Sequence, residues 1–228
     1  MRVWALGCSG HADSDGAGVR NAYLKSVANQ YTDICLLLGD NAYDNGADAE
    51  YQLSVFSLHS AILRQTAVWP TIGNHDTASS TNPPATLPYF QMFSLPTNAE
   101  SGGVASGTKK YYSFDYGNIH FICLDSMSSS RSATGAMATW LQNDISSTTQ
   151  DWIIAFFHHP PYSKGTHDSD VDIESIEMRA NILPILESGG VDLVLSAHSH
   201  SYERSFLLNG HYGLSSTLTP AMKVNAEI

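Results

Sequence analysis

The sequence predicts an α/β layered fold with a largely parallel central sheet. Three observations carry this. Six short apolar runs are bounded by Gly or polar punctuation; longer amphipathic stretches separate them; and 228 residues are enough for one sizeable core. Strand alternating with helix is the signature of parallel strands joined by crossovers.

The first run, 2–8 (RVWALGC), reads as a buried strand, and a helical pattern follows at 17–30. The second strand, 33–40 (DICLLLGD), precedes a helix at 48–65, where Asp48 stands at the N-cap position of DAEYQLSVF. The third strand is 67–74 (AVWPTIGN). A long Ser/Thr/Pro/Gly-rich loop, 76–110, leads to YYSFDYGNIHFICL, which reads as a hairpin turning at Gly117-Asn118 with 119–126 as its inner strand. A helix at 135–147, a strand at 151–159, a surface loop at 160–172, a helix at 173–188 and a strand at 191–198 complete the pattern. No internal repeat is visible, and one domain over 1–228 is expected.

Composition narrows the function classes. The chain is 43% hydrophobic and 14% charged, ordinary for a globular protein. Its 22 acids against 11 bases give a net charge of −11, which disfavours nucleic acid and anionic membrane as partners. No apolar stretch approaches the ~20 residues of a membrane span. Three cysteines, Cys8, Cys35 and Cys123, give no disulfide framework and leave the compartment open. A serine hydrolase lacks its Gly-x-Ser-x-Gly elbow, and GCSGHADSDGAG lacks the dinucleotide fingerprint.

In α/β sheets ligands gather at the C-terminal ends of the strands. Here those ends are Cys8, Asp40, Asn74, Asp125, His158 and His198. Near them lie Tyr43, three residues after Asp40, then His75 and Asp76 after Asn74, His159 and His167 after His158, and His200 two residues past His198. Taken singly, Asp-Asn after Gly is turn chemistry and a buried His is commonly a satisfied core residue. Together they offer a carboxylate, a phenol, an amide and three imidazoles on neighbouring strand tips. That donor set suits Fe, Mn or Zn. With Asp40 shared, it divides into two half-sites, the arrangement that serves phosphoryl hydrolysis.

GDNAY, GNHD, FHHPPYSKGTH and AHSHSYERS, in this order, resemble the calcineurin-like metallophosphoesterases and, within them, the bacterial branch of the purple acid phosphatases. The resemblance spans about residues 2–213. It implies a four-layer α/β/β/α sandwich and a metal-dependent phosphomonoesterase using metal-bound hydroxide on a small phosphate ester. It also implies two ions, Fe(III) and a divalent Zn, Mn or Fe. Carried over by position, Asp40 bridges both ions, Tyr43 and His200 hold the first, and Asn74, His158 and His198 hold the second. His75 donates to phosphate or the leaving oxygen, and His167 is a substrate-binding or acid histidine. Asp76, His159 and Glu203 belong to the outer shell, the carboxylates orienting histidines. The family is mostly exported, although RVWALG shows no signal peptide.

Two departures stand out. Cys8 occupies the position of the family's first metal-binding Asp, in GCSG, and AHSH replaces GHxH. Cys8 is read as a thiolate ligand, as replaced by Asp13 or Asp15, or as leaving the first site short of one charged ligand; the last is the expectation carried forward. The second departure is LTPAMKVNAEI, which ends without closing strands, so a truncated gene product with an incomplete second sheet is expected. The alternative to an enzyme is a weakly active or inactive fold relative that binds one metal or phosphate.

Overall fold

The computed structural model describes residues 1–28, 30–78 and 86–224. Part of the 76–110 loop therefore lies outside the described residues. The strands form two sheets, not one. β1 (Val3–Leu6), β2 (Ile34–Leu38) and β3 (Ala67–Thr71) pair in parallel in that order, with Val3 opposite Ile34 and Ile34 opposite Ala67. The second sheet runs β4 (Tyr112–Tyr116), β5 (Ile119–Cys123), β6 (Trp152–Phe156) and β7 (Leu193–Leu195). β4 and β5 are the expected hairpin, Tyr116 opposite Ile119, and Gly117 supplies the positive φ of 62° that its turn demands. β5, β6 and β7 are parallel. A strand run fixes which residues alternate, not which strand becomes its neighbour, so the single sheet drawn from periodicity is corrected to two.

The period-2 alternation of β5 and β6 builds two cores at once. Phe121, Cys123 and Phe156 face the first sheet and join Leu36 and Leu38. Ile122, Ala155 and Phe157 face the opposite way, onto the helix Ala136–Ser147 and the helical stretch Ile173–Ser188. α1 (Ser14–Val27) and the helical stretch Asp48–Leu63 cover the first sheet, completing a four-layer α/β/β/α sandwich. α1 is capped by Asp13, whose Oδ1 accepts from the amides of Asp15 and Gly16 at 3.0 and 2.9 Å. Its Tyr23 stacks on Trp4 of the sheet, ring centroids 4.2 Å apart.

β3 is an edge strand, which is why Pro70 is tolerated in it. The free Pro70 carbonyl accepts from the hydroxyls of Tyr89 and Tyr112, at 2.8 and 2.7 Å. Trp69 stacks on Phe114 of the second sheet at 3.7 Å, and Thr71 Oγ1 donates to the Leu124 carbonyl at 2.9 Å. These ties fix the sheets face to face, so the C-terminal ends of their parallel strands open on the same side.

Candidate metal centre

The chain leaves those strand ends in a conformation that L-residues avoid. Six non-glycine residues among those described have positive φ, and four of them are Cys8 (51°), Asp40 (53°), His198 (66°) and His200 (49°). Each costs about 1 kcal/mol relative to the right-handed region. Such residues persist only where their surroundings over-determine them, and they cluster at functional sites. The surroundings here are close backbone contacts. The Cys8 amide donates to Gly39 O at 3.0 Å and the Ala197 amide to His158 O at 2.9 Å. A side chain at Gly39 would land on the His158 ring, and one at Gly73 on Asp40.

Asp40 sits at the centre, buried. On one side Tyr43 Oη donates to its Oδ2 at 3.0 Å and lies 3.1 Å from His200 Nε2. Donor atoms of Cys8, Asp40 and His200 all fall within 4.8 Å of one another. On the other side His158 Nε2 lies 3.4 Å from Asp40 Oδ2 and 3.1 Å from Asn74 Oδ1. His158 Nδ1–H donates to the Leu38 carbonyl at 2.8 Å, which fixes the ring and turns Nε2 toward the site. Donor atoms of His158, His159 and His198 form a second group within 4.8 Å.

The electrostatics follow from burial and pairing. Burial alone would raise Asp40, but the His158 hydrogen bond and charge, with the His75 amide at 2.8 Å, hold it well below the usual carboxylate range. Burial would lower His158, and Asp40 outweighs that and raises it. His198 is pushed down to about 4 by burial, then by its neighbours His158 and His167. Burial and the Asp40 charge push Cys8 up to about 12, and burial with Cys8 and Asp40 raises Tyr43 as well. A bound cation inverts this order, favouring thiolate and phenolate.

The carboxylates expected to orient histidines do otherwise. Asp76 accepts from Asn41 N and Nδ2 at 3.0 Å each, from Gly73 N at 2.8 Å and from Tyr51 Oη at 2.5 Å. It therefore ties the Asp40 loop to the Asn74 loop and, among the described residues, bonds no imidazole. Glu203 accepts from Ser163 Oγ at 2.6 Å and from Lys164 N at 2.9 Å, holding a loop. The carboxylate that does reach a site histidine is Asp172, whose Oδ2 lies 3.0 Å from His198 Nε2 and 3.8 Å from His167 Nδ1. Sequence reasoning passed over Asp172, because it falls in the 160–172 loop and nothing there marks a partner 26 residues away.

His159 bonds Ser126 Oγ through Nδ1 at 2.9 Å, its ring 4.5 Å from His198. His75 packs on Tyr43 at 4.4 Å, with Nδ1 donating to Asp44 O at 2.9 Å. His11 also stacks on Tyr43, its ring 4.4 Å away, and only its nearness to Cys8 in the sequence hints at this contact. A cavity of about 480 Å³ opens beside these groups, lined by Asn74, His159, His167, Asp172 and His198 among others. The 160–172 loop forming its far wall is held by the buried Arg179, whose Nη1 donates to Pro161 O and Ser169 O, both at 2.8 Å. Lys164 is engaged by Asp168 and Asp170 at 2.6 and 2.9 Å. An anion entering this cavity would meet Asp168, Asp172 and Glu174. Cations are what the donor set is equipped to add.

The calcineurin-like phosphoesterase family matches residues 1–202. Purple acid phosphatase 18 of Arabidopsis thaliana is 32% identical over 61% of this chain and 31% of its own. Probable purple acid phosphatase 20 of the same plant is 30% identical over 79% and 42%. An uncharacterized protein of Mycobacterium tuberculosis is 27% identical over 81% and 37%. The chain thus spans less than half the length of these curated relatives. Among solved structures, one titled as GAP50, the anchor in the inner membrane complex of Plasmodium, superposes with a TM-score of 0.58. It is 18% identical, with 87% of this chain and 66% of that one covered, and shares the fold.

Proposed function

The chain belongs to the calcineurin-like phosphoesterase family, and on that premise we propose that it is a metal-dependent phosphomonoesterase of the acid phosphatase type with a dinuclear centre bridged by Asp40. The observation that carries this reading is the position of Asp40, within reach of Tyr43 and His200 on one side and of His158 and Asn74 on the other. Tyr43 and His200 would hold the first ion, and Asn74, His158 and His198 the second. The N and O donors of the second half-site suit divalent Zn, Mn or Fe. In the first, the family resemblance implies Fe(III). When bound, the two cations would neutralise phosphate oxygens and acidify the attacking water.

The protein groups do the rest. Asp76 holds the Asp40 and Asn74 loops in register, and Leu38 O and Asp172 fix the rings of His158 and His198. His75 packs on Tyr43 and His167 on His198. Each would donate to a phosphate oxygen or to the departing alkoxide, the usual contribution of a general acid. The substrate is a small phosphate ester seated in the 480 Å³ cavity. The second reading, a weakly active relative binding one ion, is favoured by Cys8 standing where a carboxylate is expected.

Hydrolysis of p-nitrophenyl phosphate separates the two. The proposal expects turnover that chelation abolishes, and a loss of at least about a hundredfold, or ~3 kcal/mol, in Asp40→Asn. Metal uptake without turnover would favour the one-ion reading.

A further inference from the structure

We propose that the first half-site is a zinc-type site in which the Cys8 thiolate is a ligand, and that it does not hold ferric iron. The inference rests on the two-ion centre and concerns the identity of one of its ions. Four donors of three kinds converge there: Cys8 Sγ, Asp40 carboxylate, Tyr43 Oη and His200 Nε2. Sulfur, imidazole nitrogen and carboxylate oxygen in a four-coordinate group are the ligands zinc takes. Soft thiolate suits zinc better than it suits the hard, oxygen-seeking ions. Ferric iron is such a hard ion, and here it would exchange a terminal carboxylate for a soft thiolate.

Cys8 is unlike the chain's other cysteines. Cys123 is buried between the sheets and Cys35, in register with Trp4, is buried under the helices that cover the first sheet; both act as small apolar residues. Cys8 is only partly buried, holds a left-handed backbone, and accepts a hydrogen bond from the His198 amide at 3.2 Å. An amide donating to sulfur steadies a thiolate ligand and tunes its metal. That amide belongs to a residue of the second half-site, so the two halves are linked through this contact. On zinc binding the Cys8 thiol releases its proton to solvent and sulfur bonds the metal, with no change of oxidation state. Zinc, being d¹⁰, also gives no phenolate charge-transfer colour with Tyr43.

Cys8 also lines a cavity of about 280 Å³ with His11, Asp13 and Asp15, so a small alkylating reagent reaches it. The test is iodoacetamide labelling of Cys8, read by peptide mass spectrometry, in chelated protein and after loading with two equivalents of Zn²⁺. Zinc is expected to slow labelling at least tenfold in the wild type, and this protection is expected to vanish in His200→Ala, where a first-site ligand is missing and the second site remains. Loaded with Fe³⁺, the wild type is expected to stay colourless and Cys8→Asp to gain a visible band. Equal labelling with two zinc ions bound, or a coloured ferric wild type, would overturn the inference and leave the dinuclear centre standing. Failure of wild type and Cys8→Asp alike to take up any zinc would overturn both.

Discussion

Asp172 is the residue whose role is set most narrowly by its contacts. A carboxylate on one nitrogen of an imidazole fixes the tautomer and raises the basicity of the other, and losing it typically costs 10–100-fold in metal affinity. Asp172→Asn is therefore expected to weaken the second ion by about that factor, while the melting temperature of the chelated protein stays unchanged. Competition with a zinc-sensitive dye measures the first quantity and a thermal scan the second. Asp76 acts differently. Its four hydrogen bonds are buried, and Asp76→Ala orphans three amide donors and the Tyr51 hydroxyl. An unsatisfied buried group costs about 1–3 kcal/mol, so a loss of at least ~3 kcal/mol in urea unfolding is expected even without metal. The sequence placed both Asp76 and Glu203 among the histidines because it shows adjacency along the chain. Which oxygen meets which donor depends on loops brought together from 30 or more residues apart.

At the scale of elements, β4, β5 and the helix Ala136–Ser147 are joined by an ionic triad remote from the strand tips. His120 Nδ1 lies 2.6 Å from Asp115 and Nε2 2.9 Å from Asp144, with the ring fully buried. Burial would lower the His120 pKa, but hydrogen bonds and charge from Asp144 and Asp115 outweigh it and raise it. A histidine raised on folding contributes stability that is fully present below its unfolded value, about 6.5, and is lost as pH rises through its folded value. Urea-unfolding free energy is thus expected to decline as pH passes upward from about 6.5. His120→Gln should flatten that slope, and an unchanged slope would count against the triad. The elements themselves were legible. The expected helices at 48–65, 135–147 and 173–188 match the helical stretches Asp48–Leu63, Ala136–Ser147 and Ile173–Ser188. The first helix starts three residues earlier than its apolar pattern suggested, because Asp13 caps it and its exposed surface carries little periodicity. The π-helical turns Gln52–Ser57 and Met178–Ile182 were invisible, since packing and not propensity selects them.

For the whole molecule, the sandwich brings residues 8, 40, 74, 158 and 198 from both sheets to one edge. Their order along the chain was readable because each ends an apolar run. The partition into two sheets came from family resemblance alone, as no strand run records its neighbour. Donors drawn from both sheets make metal binding a clamp across the sandwich. Ligand bound only by the native state at 100 times its Kd adds about 2.7 kcal/mol. For a chain of this size that is a rise of about 5–10 °C in Tm on zinc loading, reversed by chelation. Asp40→Asn is expected to lose most of this rise, and a full rise in that variant would count against Asp40 as a ligand.

Titrating Zn²⁺ into chelated protein while following p-nitrophenyl phosphate hydrolysis shows whether two ions act together on a phosphate ester. Little turnover is expected over the first equivalent, with a rise to a plateau over the second. Full activity at one equivalent, or none after two are bound, would contradict joint action.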